Sequence, residues 1–226
     1  MRIPSRAAIF ITMLLLWPPQ RLRAIIFIFT SDPAYNTTAP TGELGNSGWQ
    51  WQGRWSGCLG TPIGPHHFIT AQHVGGQVGD PFILGGISYT TKVYSDDTKS
   101  DLRIWAISGT FPTWAPVYRG SDEVGKSLIV VGVGLSRGAE VRVNGELKGW
   151  QWGGGGGILR WGQNIVTSAD DYGPGLGSLL RAEFDVGAGT NEAHLASGDS
   201  GGAVFIQEGG VWKLAGINFA TLYVRI

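Results

Sequence analysis

Gly198-Asp199-Ser200-Gly201-Gly202 brackets one serine with glycines and sets an acid immediately before it. A serine hydroxyl is a poor nucleophile at neutral pH. It becomes catalytic only beside a histidine base, with a group that orients the base and backbone donors for the developing oxyanion. Glycines suit that last need. Without a Cβ, the chain can turn successive N–H groups toward one point and let a substrate carbonyl approach closely. Ser200 is therefore a candidate nucleophile whose partners must lie elsewhere in the chain.

Taken alone, the stretch also satisfies G-x-S-x-G, the strand-to-helix elbow of α/β-hydrolases. Chain order separates the two readings. In that class the acid and then the histidine follow the serine, whereas residues 201–226 hold no histidine and one acid, Glu208. The order histidine, aspartate, serine is met upstream by Thr70-Ala71-Gln72-His73 and by Asp101-Leu102-Arg103-Ile104-Trp105-Ala106-Ile107. Asp96 and Asp97 are rivals for the acid, but they stand in a Ser/Asp/Thr/Lys stretch of turn character. Asp101 opens an apolar strand and is better placed for burial against an imidazole.

These three stretches together resemble the chymotrypsin/trypsin-type serine proteases, with their T-A-A-H, D-[IL]-A-L and G-D-S-G-G motifs, and the likeness spans residues 55–219. The resemblance implies an all-β fold of two antiparallel six-stranded Greek-key β-barrels with the active site in the cleft between them. It implies His73 as general base and acid, Asp101 as its orienter and Ser200 as nucleophile, with the N–H groups of Gly198 and Ser200 as oxyanion hole. It puts the floor of the primary specificity pocket at His194, with Phe219 and Ala220 in one wall; Thr190, Ala193 and Leu195 are the alternatives if the alignment slips. A histidine in place of an aspartate at that floor argues against selection of Lys or Arg. The implied partner is a polypeptide substrate, and neither cofactor nor metal is called for.

Composition agrees with this reading. A chain of 226 residues with 42% hydrophobic content can bury one sizeable core or two modest ones. Its formal net charge is zero, and its 17 basic residues are scattered, so no electrostatic footprint for nucleic acid or an anionic membrane is present. The 37 glycines and 11 prolines punctuate short apolar runs, the signature of an all-β chain. The expected organisation is a leader over residues 1–23, a first barrel over 24–112 carrying His73 and Asp101, and a second over 113–226 carrying Ser200. Arg2 and Arg6, the apolar run 7–17 and Pro18-Pro19 have the layout of a signal peptide, which predicts a secreted, periplasmic or cell-surface protein. That run is too short to span a bilayer, so an uncleaved leader is the only membrane attachment expected. Cys58 is the single cysteine and is read as a small buried hydrophobe, since Val74 stands where the resemblance would place its disulfide partner.

Two features look like other sites. The stretch 120–127 fits the P-loop pattern G-x-x-x-x-G-K-[ST], but it opens the β-branched run 128–133 and carries Asp122 and Glu123 where phosphates would lie, so no nucleotide is expected. His66 and His67 are adjacent on a turn, with no further ligand at metal spacing. Strands are expected over 24–29, 57–63, 68–71, 82–87, 89–94, 102–107, 128–133, 140–147, 158–166, 179–184, 203–206 and 213–218, with Trp49 and Trp51 on one strand face. Leu222-Tyr223-Val224-Arg225-Ile226 weakly resembles the family's closing strand, but the connection from Phe219 is short. The second barrel is therefore expected to be incomplete, the strand over 213–218 to be an unprotected edge, and the activity weak; a non-catalytic binding module is the alternative reading.

Overall fold

The computed structural model describes residues 25–221. The leader and the closing pentapeptide expected from the sequence lie outside the described residues.

Short strands with one buried face build the first half. They are β2 (Gly53–Trp55), β3 (Cys58–Gly64), β4 (His67–Ala71), β5 (Pro81–Leu84), β6 (Ile87–Asp96) and β7 (Leu102–Ile107), following the short β1 (Ile26–Phe27). They close into an antiparallel barrel in the order β2-β3-β4-β7-β6-β5, and the step from β4 to β7 gives the Greek-key path. Alternation decides what faces inward. In β7, Arg103, Trp105 and Ile107 are the buried positions, and in β5, Phe82 and Leu84. Trp55, Phe68, Phe82, Tyr89, Trp105 and Phe111 fill the barrel. Phe68 and Phe82 stack at 4.0 Å, each contributing about 1.5–3 kcal/mol by burial. Gly53 admits this pair, because a Cβ there would sit 2.1 Å from Phe82 Cζ.

The second half is a five-stranded antiparallel sheet in the order β12-β11-β8-β14-β15. Its strands are β8 (Ser127–Gly132), β11 (Arg160–Asp171), β12 (Ser178–Ala182), β14 (Ala203–Glu208) and β15 (Val211–Ile217). β9 (Arg137–Val143) and β10 (Glu146–Trp152) form a separate hairpin, and β13 (Ala193–His194) pairs with β1. β8 is apolar from Leu128 to Val131 because both of its faces are covered. Ile129 and Val131 pack with Leu59 and Ala115 at the seam between the halves, whereas Leu128 and Val130 pack with Ile25, Phe27 and Val166. Helix is confined to three 3₁₀ turns among the described residues, and none is long and apolar enough to cross a membrane.

The all-β, antiparallel, barrel-forming expectation holds, with four local corrections. The segment read as one strand over 140–147 is a hairpin, because Asn144 and Gly145 both adopt positive φ, at 52° and 83°. β1 was grouped with the first barrel, yet Ile26 lies opposite His194, and Ile25 and Phe27 fill the core of the second half. Trp49 and Trp51 share a 3₁₀ turn instead of a strand, with the Trp51 ring 5.9 Å from Phe205. The outer edge of β15 is not bare: Leu214 N–H donates to Pro116 O and Leu214 O accepts from Tyr118 N–H, both at 2.8 Å. The segment linking the two halves thus covers an edge that would otherwise invite association.

Candidate active site

His73 follows β4 directly, on the 3₁₀ turn Gln72–Val74 that Gly75 ends at φ 74°. Strand register brings the acid to it. β4 and β7 pair with Ala71 opposite Leu102, so the next residues outward, Gln72 and Asp101, face each other, and Gln72 N–H donates to Asp101 O at 2.6 Å. The Asp101 carboxylate meets His73 twice: Oδ1 accepts from the backbone N–H at 3.0 Å, and Oδ2 lies 2.5 Å from Nδ1. On the other side of the ring, Nε2 is 2.8 Å from Ser200 Oγ. The Asp101 side chain is 17% exposed and that of His73 43%, so the acid is shielded while the base opens to solvent.

Ser200 lies in the loop from β13 to β14, which is pinned from several directions. Gly201 N–H donates to Asn218 O, Asn218 N–H donates to Gly202 O, and Asn218 Nδ2 reaches Val131 O and Asp199 O at 2.8 and 3.1 Å. Gly201 must be glycine: φ is 75°, and a Cβ would stand 2.2 Å from the Leu59 carbonyl oxygen. Among the described residues, the N–H groups of Asp199, Gly201 and Gly202 are committed to carbonyls, whereas those of Gly198 and Ser200 have no acceptor. Gly198 itself holds φ 93°. An oxyanion hole would need two such unengaged donors.

Asp199 is 1% exposed. Its Oδ1 accepts from Gly134 N–H and its Oδ2 from Ala196 N–H, both at 2.6 Å, and the N–H groups of Ile25 and Val133 also turn to the carboxylate. Arg137 is engaged elsewhere, donating to the carbonyls of Phe27 and Ile28 and lying over Trp150. Burial pushes the Asp199 pKa up from 3.8 to about 6, although the four N–H groups favour the charged form. Between those values the folded protein binds the extra proton, so this group's contribution to stability is full below about pH 4 and is lost as the pH rises through 6. The expected result is that the stability of the parent chain relative to Asp199→Asn falls by on the order of 3 kcal/mol from pH 4 to pH 7. Urea denaturation of both at several pH values checks this; a difference flat across that range would overturn it.

A cavity of about 200 Å³ adjoins Ser200, lined among others by Leu195, Ser197, Asn218, Phe219, Ala220 and Thr221. Phe219 also meets the His73 ring edge-on at 5.8 Å. His194 is not among the lining residues. Its ring lies 5.3 Å from Phe184, its Nδ1 is 2.6 Å from Leu195 O, and burial lowers its pKa from 6.5. The cavity wall therefore presents neither a free carboxylate for a basic side chain nor a charged imidazole for an acidic one, since the Asp199 carboxylate is held in its backbone cradle.

The rival acids have other duties. Asp97 accepts from Lys99 N–H and Ser100 Oγ within its turn. Asp96, read from sequence as another turn residue, ends β6 and binds Arg103 and Gln72; its register opposite Arg103 was the only signal that could have found it. In the P-loop-like stretch, Lys126 is held by Asp122 at 2.9 Å and by Tyr118 Oη at 2.6 Å, and a strand follows. His66 Nδ1 lies 2.7 Å from Gly109 O, and no group of three or more metal-ligating side chains occurs among the described residues. Cys58 is half-buried at the start of β3, and burial and the Asp199 charge push its thiol pKa up.

No family profile and no curated protein matches the chain. Solved structures with a similar backbone path are proteases. The inactive form of the Rv3671c protease of M. tuberculosis is 18% identical with a TM-score of 0.47, over 77% of this chain and 83% of that one. The active form is 20% identical with a TM-score of 0.47, over 73% and 63%. The murine norovirus NS6 protease is 17% identical with a TM-score of 0.46, over 82% and 88%. An inactive Rv3671c variant matches over 68% of this chain and 66% of its own length, so against two of these chains the present one spans just under two thirds. Likeness at this level concerns the path of the backbone and carries no residue's role across.

Proposed function

We propose that the chain is a serine endopeptidase that cleaves polypeptides through an acyl-enzyme. Ser200 Oγ attacks the scissile carbonyl as His73 Nε2 takes its proton; Asp101 holds the proton of Nδ1 in place and stabilises the imidazolium. The N–H groups of Gly198 and Ser200 receive the oxyanion. His73 then protonates the leaving amine, and water repeats the sequence on the ester. We also propose export, on the layout of residues 1–23.

The observation that carries this reading is the line of contacts Asp101 Oδ2, His73 Nδ1, His73 Nε2 and Ser200 Oγ, at 2.5 and 2.8 Å. A serine hydroxyl in ordinary structural use needs no imidazole beside it, and an imidazole in such use needs no carboxylate behind it. A fluorophosphonate probe tests the assignment without knowledge of the substrate. Labelling of Ser200 at one equivalent per chain, mapped by peptide mass, is the expected result. Absence of labelling in a folded sample would favour a non-catalytic binding module.

A further inference from the structure

Arg103 occupies a buried position of β7, in alternation with the apolar Trp105 and Ile107, and is the one charged side chain so placed in that strand. A guanidinium there loses hydration, and an apolar residue of similar volume would often serve stability as well or better. Local rules broken in this way mark positions kept for something other than packing. Asp96, opposite Arg103 in the β6–β7 register, receives the guanidinium as a fork: Nε to Oδ1 at 2.5 Å and Nη2 to Oδ2 at 2.8 Å. The Tyr94 ring covers the guanidinium at 4.0 Å, with Trp105 at 5.5 Å. This fork fixes the carboxylate in plane and position far better than a lone ion pair would.

The second oxygen of that carboxylate has another task. Asp96 Oδ2 accepts from Gln72 Nε2 at 3.0 Å, and Gln72 is the residue immediately before His73. Gln72 is thereby gripped at three points: its side chain by Asp96, its N–H by Asp101 O at 2.6 Å, and its carbonyl by Gly75 N–H at 3.0 Å. The contacts form a ring that runs from His73 through Asp101 and along β7 to Arg103, across to Asp96, and back through Gln72. The Asp101 charge also reaches Arg103, so the ring joins the orienting acid to its far side electrostatically as well as by covalent chain.

Resting on the reading of His73, Asp101 and Ser200 as one catalytic unit, we propose that Gln72, Asp96 and Arg103 are positioning residues that lock the turn bearing His73. They hold its imidazole in line between the acid and the nucleophile. Without the lock, the turn keeps its backbone bonds and the Asp101 carboxylate, but Gln72 loses its side-chain anchor, and the ring can shift by the fraction of an ångström that separates productive from unproductive alignment.

Two readouts test this in the full chain. The first is the rate of fluorophosphonate labelling of Ser200, split into the maximal rate and the probe concentration giving half of it. The second is the proton resonance of His73 Nδ1–H, shifted downfield by its hydrogen bond to Asp101. Gln72→Ala and Arg103→Met should each lower the maximal labelling rate about 10- to 100-fold, leave the half-saturating concentration within twofold, and broaden or abolish the resonance. Gln72→Glu should be at least as damaging, because it sets two carboxylates against each other. Asp96→Asn should slow labelling and disturb the resonance in the same way, because its amide NH₂ in either orientation would face an N–H donor of Arg103. Should Arg103→Met fail to fold, the Gln72 variants carry the test alone. Labelling rates within twofold of the parent together with an unchanged resonance would overturn the proposal. If the parent chain itself does not label but its resonance is present and is lost in Gln72→Ala, the catalytic reading falls and the lock stands.

Discussion

Alanine at Ser200 is expected to lower peptide turnover about 10⁶-fold, alanine at His73 to do the same, and the double variant to lose little more. The reason is the single contact between His73 Nε2 and Ser200 Oγ at 2.8 Å. Without the imidazole, the hydroxyl cannot shed its proton as it attacks. Without the hydroxyl, the imidazole has nothing to activate. Each loss corresponds to about 8 kcal/mol of transition-state stabilisation, and it is the same stabilisation in both cases, so it is removed once. Some rate above that of water should survive, because the N–H groups of Gly198 and Ser200 remain to receive an oxyanion. Turnover of a peptide anilide by the parent, the two single variants and the double variant gives the answer directly. Losses that multiply in the double variant would show that the two residues do not act as a unit.

The second large effect belongs to Asp101→Asn, for which a loss of about 10⁴ is expected with the fold retained. Both carboxylate oxygens are in use, Oδ1 on the backbone N–H of His73 and Oδ2 on Nδ1. An asparagine has only one oxygen to offer. If that oxygen stays with the backbone, the amide NH₂ faces Nδ1 and selects the tautomer with its proton on Nε2, aimed at Ser200 and unable to accept. If the amide turns over, its NH₂ abuts the backbone N–H, and the turn carrying His73 is displaced. Either way the base fails while packing is nearly unchanged. Turnover should therefore fall while the melting temperature stays within a few degrees. An Asp101→Asn variant as active as the parent would point to Asp96 as the acid, in conflict with its bonds to Arg103 and Gln72.

Much of the first half is legible in the sequence. The strand over 102–107 coincides with β7, and the hairpin ahead of His73 is present as β3 and β4, because alternation and turn residues act over a few neighbours. The second half was read less well. Val141, Val143 and Leu147 alternate straight through Asn144-Gly145, and the apolar pattern concealed a turn that the positive φ angles require. The chain near Ile26 looked like the start of the first barrel, since nothing local states that Phe27 fills a gap beside Val130 and Val166 or that Ile25 N–H is needed at Asp199. Asp96 is weighed as the acid and set aside as a turn residue, because only the β6–β7 register places an arginine opposite it.

By itself the sequence determined the all-β class and the chain order of histidine, aspartate and serine. Composition and motif chemistry are properties of residue types in order, and they need no partner to be read. Only the tertiary structure decided that Asp199 is held by four backbone N–H groups, that His194 stands outside the cavity beside Ser200, and that Gln72, Asp96 and Arg103 close a ring behind His73. Each of those depends on strand register and on which distant segments are pressed together. A shift of one residue in the β4–β7 or β6–β7 pairing would send the same side chains to the opposite face of the sheet.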